Sequence, residues 1–192
     1  MNIRRSTLAF TCSLALAAAA FPATSSLAQK AHVVKVGGAP MYPSKNIVEN
    51  AVNSKDHTTL VAAVKAAGLV DTLEGAGPFT VFAPVNRAFK RLPEGTVGTL
   101  LKPENKDQLV KVLEYHVVAG KLSAEDLKSM VEKGGGKAML KTVEGGELTV
   151  SETGKGKLKI SDAKGDVGTI TIPDVNQSNG VIHVIDTVMQ PG

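Results

Sequence analysis

Residues 179–191 read Asn-Gly-Val-Ile-His-Val-Ile-Asp-Thr-Val-Met-Gln-Pro. Asn179-Gly180 supplies a left-handed-prone turn into an almost wholly apolar run from Val181 to Met189. A strand that is apolar on both faces has no side to show to water, so this one belongs at the centre of a sheet. His183 stands inside the run. A buried imidazole needs partners, so the sequence predicts a core histidine with both ring nitrogens hydrogen-bonded. A second compact strand, Phe79-Thr80-Val81-Phe82, lies far upstream. The sheet must therefore unite distant parts of the chain.

Between these strands the texture changes once. Ser44 is a plausible N-cap for a helix through Asn53, with Ile47, Val48, Ala51 and Val52 on one face. Thr58 or Thr59 can cap the next helix, which Gly68 ends. Ala83-Pro84 closes the Phe79 strand, and Pro84 can open a short helix reaching Leu92. Pro103 starts a helix running to about Glu114, and Ser123 caps another from Ala124 to Val131. From Met139 onward, short alternating runs separated by Gly145-Gly146, Gly154-Lys155-Gly156 and Lys164-Gly165-Asp166 read as a meander of half-buried strands. Helices first and strands second is the pattern of an α+β domain. No internal repeat and no second core is expected.

The first 28 residues read as a secretory signal peptide. Arg4-Arg5 starts it, Leu8 to Phe21 is mostly apolar, and Ser26-Leu27-Ala28 is a small-x-small cleavage site. The apolar stretch is too short for a membrane span, so no stable membrane insertion is expected once it is removed. The leader holds the chain's one Cys and two Arg with no acid. Its removal leaves 164 of the 192 residues, 192 − 28, and lowers the formal charge from +4 to +2. A nearly neutral chain without Trp offers nucleic acid neither charge nor a stacking platform. Without cysteine, an exported or periplasmic domain must be held by its core. Residues 29–43 look like an N-terminal arm, and 44–192 like the domain itself.

Catalytic signatures are missing. The sequence holds no GxSxG elbow, HExxH pair, Walker loop or GxGxxG stretch. Gly134-Gly135-Gly136-Lys137 lacks the spacing of a phosphate loop and reads as a link between the two halves. The reading is non-catalytic, with no cofactor and no metal.

Three collinear stretches carry a resemblance. Thr80-Val81-Phe82-Ala83-Pro84-Val85-Asn86-Arg87-Ala88-Phe89, the pair Tyr115-His116, and Asn179 through Pro191 together resemble the signatures of the fasciclin domain. Val85 and Arg87 depart from the family's usual Thr and acid. The resemblance implies a wedge-shaped β-sandwich with a helical cluster on one side. It also implies an extracellular adhesion module that binds a cell-surface or matrix protein, or a surface glycan. A periplasmic carrier of small ligands is the alternative, and an envelope hydrolase a more distant one.

Each signature residue has a structural reading. Phe82 and Phe89 can each bury enough apolar area to stabilise by roughly 1.5–3 kcal/mol. Pro84 ends a strand. Asn86 can satisfy backbone groups near a helix start. Asn179 and Gly180 build a turn. Tyr115 and His116 sit in a region that the resemblance links to adhesion, yet polar-tipped residues of this kind usually lock a helix onto a sheet. Asp174-Val175 resembles an Asp-aliphatic adhesion motif. Asp174 either presents a carboxylate to a partner or forms an Asx-type turn, and the sequence leaves both open.

Overall fold

The computed structural model describes residues 33–192 apart from Lys155. The proposed leader and the start of the arm lie outside the described residues. A hairpin opens the described part: β1 (Val34–Val36) pairs antiparallel with β2 (Ala39–Met41) across Gly37-Gly38. Its Val36 and Met41 are buried against the helices.

Helix α1 (Ile47–Ala51) is capped by Asn46 rather than Ser44. The Asn46 Oδ1 accepts the Glu49 N–H at 2.8 Å, and the Glu49 carboxylate accepts the Asn46 N–H at 2.8 Å. A reciprocal cap needs an acid three residues on, which Asn46 has and Ser44 lacks. Next come α2 (Thr58–Ala67), ended by Gly68 at φ 74°, and α3 (Val70–Glu74). Neither Thr58 nor Thr59 caps α2. His57 holds that position without a side-chain bond, and Asn86 supplies the acceptor from elsewhere in the chain.

Strand β3 (Phe79–Pro84) ends with Pro84 buried opposite Ile185. Pro84 thus finishes the strand instead of opening the helix α4 (Asn86–Phe89). Then come α5 (Thr96–Leu100), a 3₁₀ turn at Pro103–Asn105, α6 (Lys106–Tyr115), β4 (Val117–Ala119) and α7 (Ala124–Lys133). The meander is β5 (Lys137–Lys141), β6 (Glu147–Glu152), β7 (Leu158–Ser161) and the long β8 (Val167–Gln177). Strand β9 (Gly180–Ile185) closes it.

Seven strands form one mixed sheet in the order β4-β3-β9-β8-β7-β6-β5. Only β3 and β9 are parallel, with Phe79 opposite Gly180 and Phe82 opposite His183. The apolar closing strand is therefore central, as its sequence demands. Two register shifts in β8, between Ile170 and Ile172 and between Ile172 and Val175, let it bend. Beyond β5, Thr142 bridges to Val118 of β4, and the Val143 N–H reaches the Val117 carbonyl at 2.8 Å. The sheet nearly closes on itself, which gives the expected α+β sandwich as one continuous sheet folded over; α7 buries Leu127 and Val131 in its interior, while α2 and α6 pack on its other face.

Contrary to the sequence expectation, there are two cores. One lies inside the sheet and takes residues from all seven strands, among them Phe82, Val118, Leu140, Leu148, Ile160, Ile170 and Ile185. The other lies between the sheet and the helices, and includes Val81, Ile182, Val184, Leu60, Val64 and Leu113. Phe82 and Phe89 therefore do not share an interior: Phe89 is half-buried on the helix side. The reason is β9, whose uniform apolarity serves both faces at once.

Phe79 and Gly180 approach closely where β3 meets β9. A Cβ on Gly180 would stand 2.1 Å from the Phe79 carbonyl oxygen. Gly180→Ala must push β3 and β9 apart, and is expected to cost about 3 kcal/mol. Denaturant unfolding should show a lower midpoint with an unchanged slope. A midpoint equal to that of the parent would disprove the close approach.

Candidate functional site

The bulge in β8 organises the surface of interest. At Pro173-Asp174 the strand carries an extra residue, and Asp174 adopts φ 56°. Asp tolerates the left-handed region better than most side chains, because its short polar group bonds locally. Its N–H finds no ladder carbonyl and donates to the Nδ1 of His183 at 3.3 Å. The opposite ring nitrogen, Nε2–H, donates to the Leu122 carbonyl at 2.9 Å. The Asp174 Oδ1 in turn accepts the Ala124 N–H at 2.7 Å. Residues 122–124, the entry to α7, are thus clamped onto the bulge by two side chains. Ser123 completes the start of the helix with a reciprocal cap to Asp126.

His183 is fully buried and lies against Phe82, with ring centroids 5.6 Å apart. Both its nitrogens are bonded, as expected. Val175 is buried in the helix-side core and turns no side chain to solvent. Asp174 is half-buried, and its Oδ2 takes no hydrogen bond among the described residues.

Beside Asp174 runs a shallow groove of about 350 Å³. Lys128 of α7, Lys157 before β7, and Thr169, Thr171 and Pro173 of β8 line it. Asp174 is not itself on the wall, but its neighbour Pro173 and its hydrogen-bond partner Ala124 are, and Lys128 and Lys157 give the groove its charge.

Tyr115 and His116 sit elsewhere and both face inward. The Tyr115 ring is in the inner core, with its hydroxyl donating to the Glu147 carbonyl at 2.6 Å and accepting the Ala163 N–H at 3.2 Å. Burial pushes that hydroxyl's pKa up, so it stays protonated. His116 donates Nδ1–H to the Val112 carbonyl at 2.7 Å, and its Nε2 accepts the Met189 N–H at 2.9 Å. The pair fastens α6 to the sheet and holds the C-terminal segment. No hydrogen bond among the described residues joins it to Asp174.

The remaining signature positions are also internal ties. The Asn86 Oδ1 accepts the Thr59 N–H at 3.0 Å, and its Nδ2 donates to the Lys55 carbonyl at 2.8 Å. Asn179 accepts from the Ile47 N–H at 3.1 Å and donates to the Leu73 and Gly75 carbonyls at 2.8 and 2.9 Å.

The model of the fasciclin domain matches residues 55–191. The chain belongs to the fasciclin family. Protein sll1483 of Synechocystis sp. is 51% identical to it over 145 residues, covering 76% of this chain and 73% of that one. Cell surface glycolipoprotein MPB83 of Mycobacterium bovis is 33% identical over 146 residues, covering 73% of this chain and 58% of the relative. Among solved structures, a fasciclin domain pair from the insect cell adhesion molecule Fasciclin I superposes with a TM-score of 0.68 at 20% identity. That match covers 77% of this chain and about half (51%) of the solved one, and it supports the fold alone.

Some polar ties in this fasciclin domain left no signal in the sequence. Thr80 donates its hydroxyl to the Gly120 carbonyl at 2.7 Å and accepts the Leu122 N–H at 2.9 Å. Asn50 donates to Gln177 deep in the interior. Asp162 could have been found, because it opens the Lys164-Gly165-Asp166 turn. Its carboxylate accepts the N–H groups of Lys164, Asp166 and Gln190.

The buried histidines make the domain acid-sensitive. Burial lowers the pKa of His57, His116 and His183, that of His116 from 6.5 to about 4. Between those values the unfolded chain binds more protons than the folded one, so stability falls as pH falls. His116 alone accounts for about 3 kcal/mol across that window. Replacing it in His116→Gln is expected to flatten the slope of unfolding free energy against pH by roughly one proton. Chemical denaturation at a series of pH values measures this, and an unchanged slope would refute it.

Proposed function

We propose that this fasciclin domain is an exported, non-catalytic recognition module that binds a cell-surface or matrix protein, or a surface glycan. The contact surface is the groove beside Asp174. The observation that carries this reading is the half-buried Asp174 carboxylate, one oxygen fixed on the Ala124 N–H and the other unbonded within the described residues. A carboxylate held in place by a strand bulge loses little freedom on binding. Lys128 and Lys157 across the groove offer charge-assisted bonds to a polar partner. Family membership supports the reading, as do the relatives themselves: one is named a cell surface glycolipoprotein, and a fold neighbour is a cell adhesion molecule. Export rests on the leader pattern of residues 1–28.

Tyr115, His116 and Val175 are buried, which supports reading them as supporting residues rather than contacts. Supporting residues and contact residues respond differently to substitution. Asp174→Asn keeps an acceptor for the Ala124 N–H and removes the charge. It is expected to leave the melting temperature within a few degrees and to weaken attachment to intact cells and to matrix-protein and glycan arrays by about tenfold, the scale of one lost charged hydrogen bond. Tyr115→Phe removes both hydroxyl bonds and is expected to cost about 2 kcal/mol of stability, leaving attachment unchanged below its melting point. Full attachment by folded Asp174→Asn would discard the groove.

A further inference from the structure

A cavity of about 80 Å³ lies between α2 and the outer face of the sheet, on the opposite side of the sheet from the inner core. Its walls are apolar, including Val36, Leu60, Val64, Ile182 and Val184. His57 also lines it.

His57 is 4% exposed, and its Nε2 has no hydrogen-bond partner among the described residues. It is the one buried side-chain polar atom among them in that condition. Its other nitrogen, Nδ1, is 2.9 Å from the Ser54 Oγ. The Ser54 hydroxyl has no other partner among the described residues, so it donates to Nδ1 and the ring proton sits on Nε2. Burial lowers the pKa of this ring; a backbone contact to the Ala83 carbonyl, too poorly aligned to make a full hydrogen bond, and the charge of Asp56 pull the other way. A buried donor left without a well-formed bond costs up to about 1–3 kcal/mol, and a better-aligned acceptor would recover part of that.

The lining residues that reach solvent are Lys65, Thr72 and Val143, with Glu114 half-buried beside them. They mark a mouth toward the C-terminal end of α2. Lys65 stands eight residues after His57, or about 12 Å along the helix axis. The space is therefore a short apolar cavity with His57 on its wall at the end away from Lys65.

The geometry points to a binding site for a small, neutral, amphipathic molecule: a short apolar chain bearing one carbonyl, hydroxyl or ether oxygen that accepts from the His57 Nε2–H. An apolar cavity of about 150 Å³ holds benzene, so this one takes about three or four heavy atoms, with any further chain leaving by the mouth. A charged head is disfavoured, because nothing else at the His57 end offsets the loss of its hydration. This site is separate from the Asp174 groove and does not depend on the adhesion reading.

Methyl and imidazole NMR titrations of the purified protein with 2-pentanone, and with pentane as the probe lacking an acceptor, test it. The ketone should shift the Leu60, Val64 and Ile182 methyls saturably, move the His57 Nε2 resonance, and bind about fivefold more tightly than pentane. His57→Leu should bind the two probes equally, and Val61→Phe, at a half-buried position on the wall, should bind neither while melting normally. No saturable shift, equal affinity in the parent with an unmoved His57 resonance, or undiminished ketone binding by Val61→Phe would each overturn the site. So would nuclear Overhauser contacts placing the chain's own first residues, or a second copy, in the cavity.

Discussion

The parallel pairing of β3 with β9 is the constraint on which the molecule rests. It joins segments far apart in the chain, so its closure entropy must be met by interactions made only when both strands are in place. The Phe79 N–H reaches the Asn179 carbonyl at 3.0 Å, and Gly180 admits the Phe79 carbonyl where a side chain would block it. The Asn179 side chain then fixes the first turn of α1 and the end of α3. One turn thereby sets the register of two central strands and the position of two helices. Because β9 is buried on both faces, its alternate side chains feed the inner core and the helix-side core. Disturbing this pairing disturbs both.

Polar atoms inside such a body must be placed as carefully as apolar ones. His116 and His183 each act as a two-ended clamp, one nitrogen donating to a carbonyl and the other accepting a backbone N–H. They use opposite tautomers: His116 donates from Nδ1 and His183 from Nε2. Protonating either ring turns its acceptor nitrogen into a donor facing an N–H. The imidazole suits these positions because it is neutral at ordinary pH, spans two strands or a helix and a loop, and keeps both ends satisfied. The same property ties the fold's integrity to pH.

The sequence made the α+β class, the central closing strand, the Ser123 cap and the internal role of His183 legible, because each rests on a local pattern. Apolar continuity from Val181 to Ile185 can be read without knowing what surrounds it. Ties that depend on distant partners escaped it. No local rule says that Asn86 will cap a helix that begins before it, or that Thr80 will bond the 120–122 segment. The second core was invisible for a related reason: an apolar strand announces that both its faces are covered, but not that two different sets of residues cover them. Ser44 and Pro84 misled because each fits a helix start in isolation. The reciprocal Asn46–Glu49 bonds and the pairing of Pro84 with Ile185 decide otherwise.

The same distinction bears on where recognition resides. The residues that make this chain recognisable as a fasciclin domain are those that close the sheet and satisfy its interior: Phe82, Pro84, Asn86, Tyr115, His116, Asn179, Gly180 and His183. A motif that encodes such ties is bound to recur wherever the fold recurs, whatever the partner. On the proposed recognition reading, specificity lies in side chains that the fold leaves free. Around the β8 bulge these are Lys128, Lys157 and Thr171, none of which belongs to a signature. Asp174 bridges the two groups, since one of its oxygens serves the fold and the other takes no hydrogen bond among the described residues. Relatives that keep the bulge but change the lysines would present the same carboxylate in a different electrostatic setting, which is how one scaffold can serve unrelated surfaces.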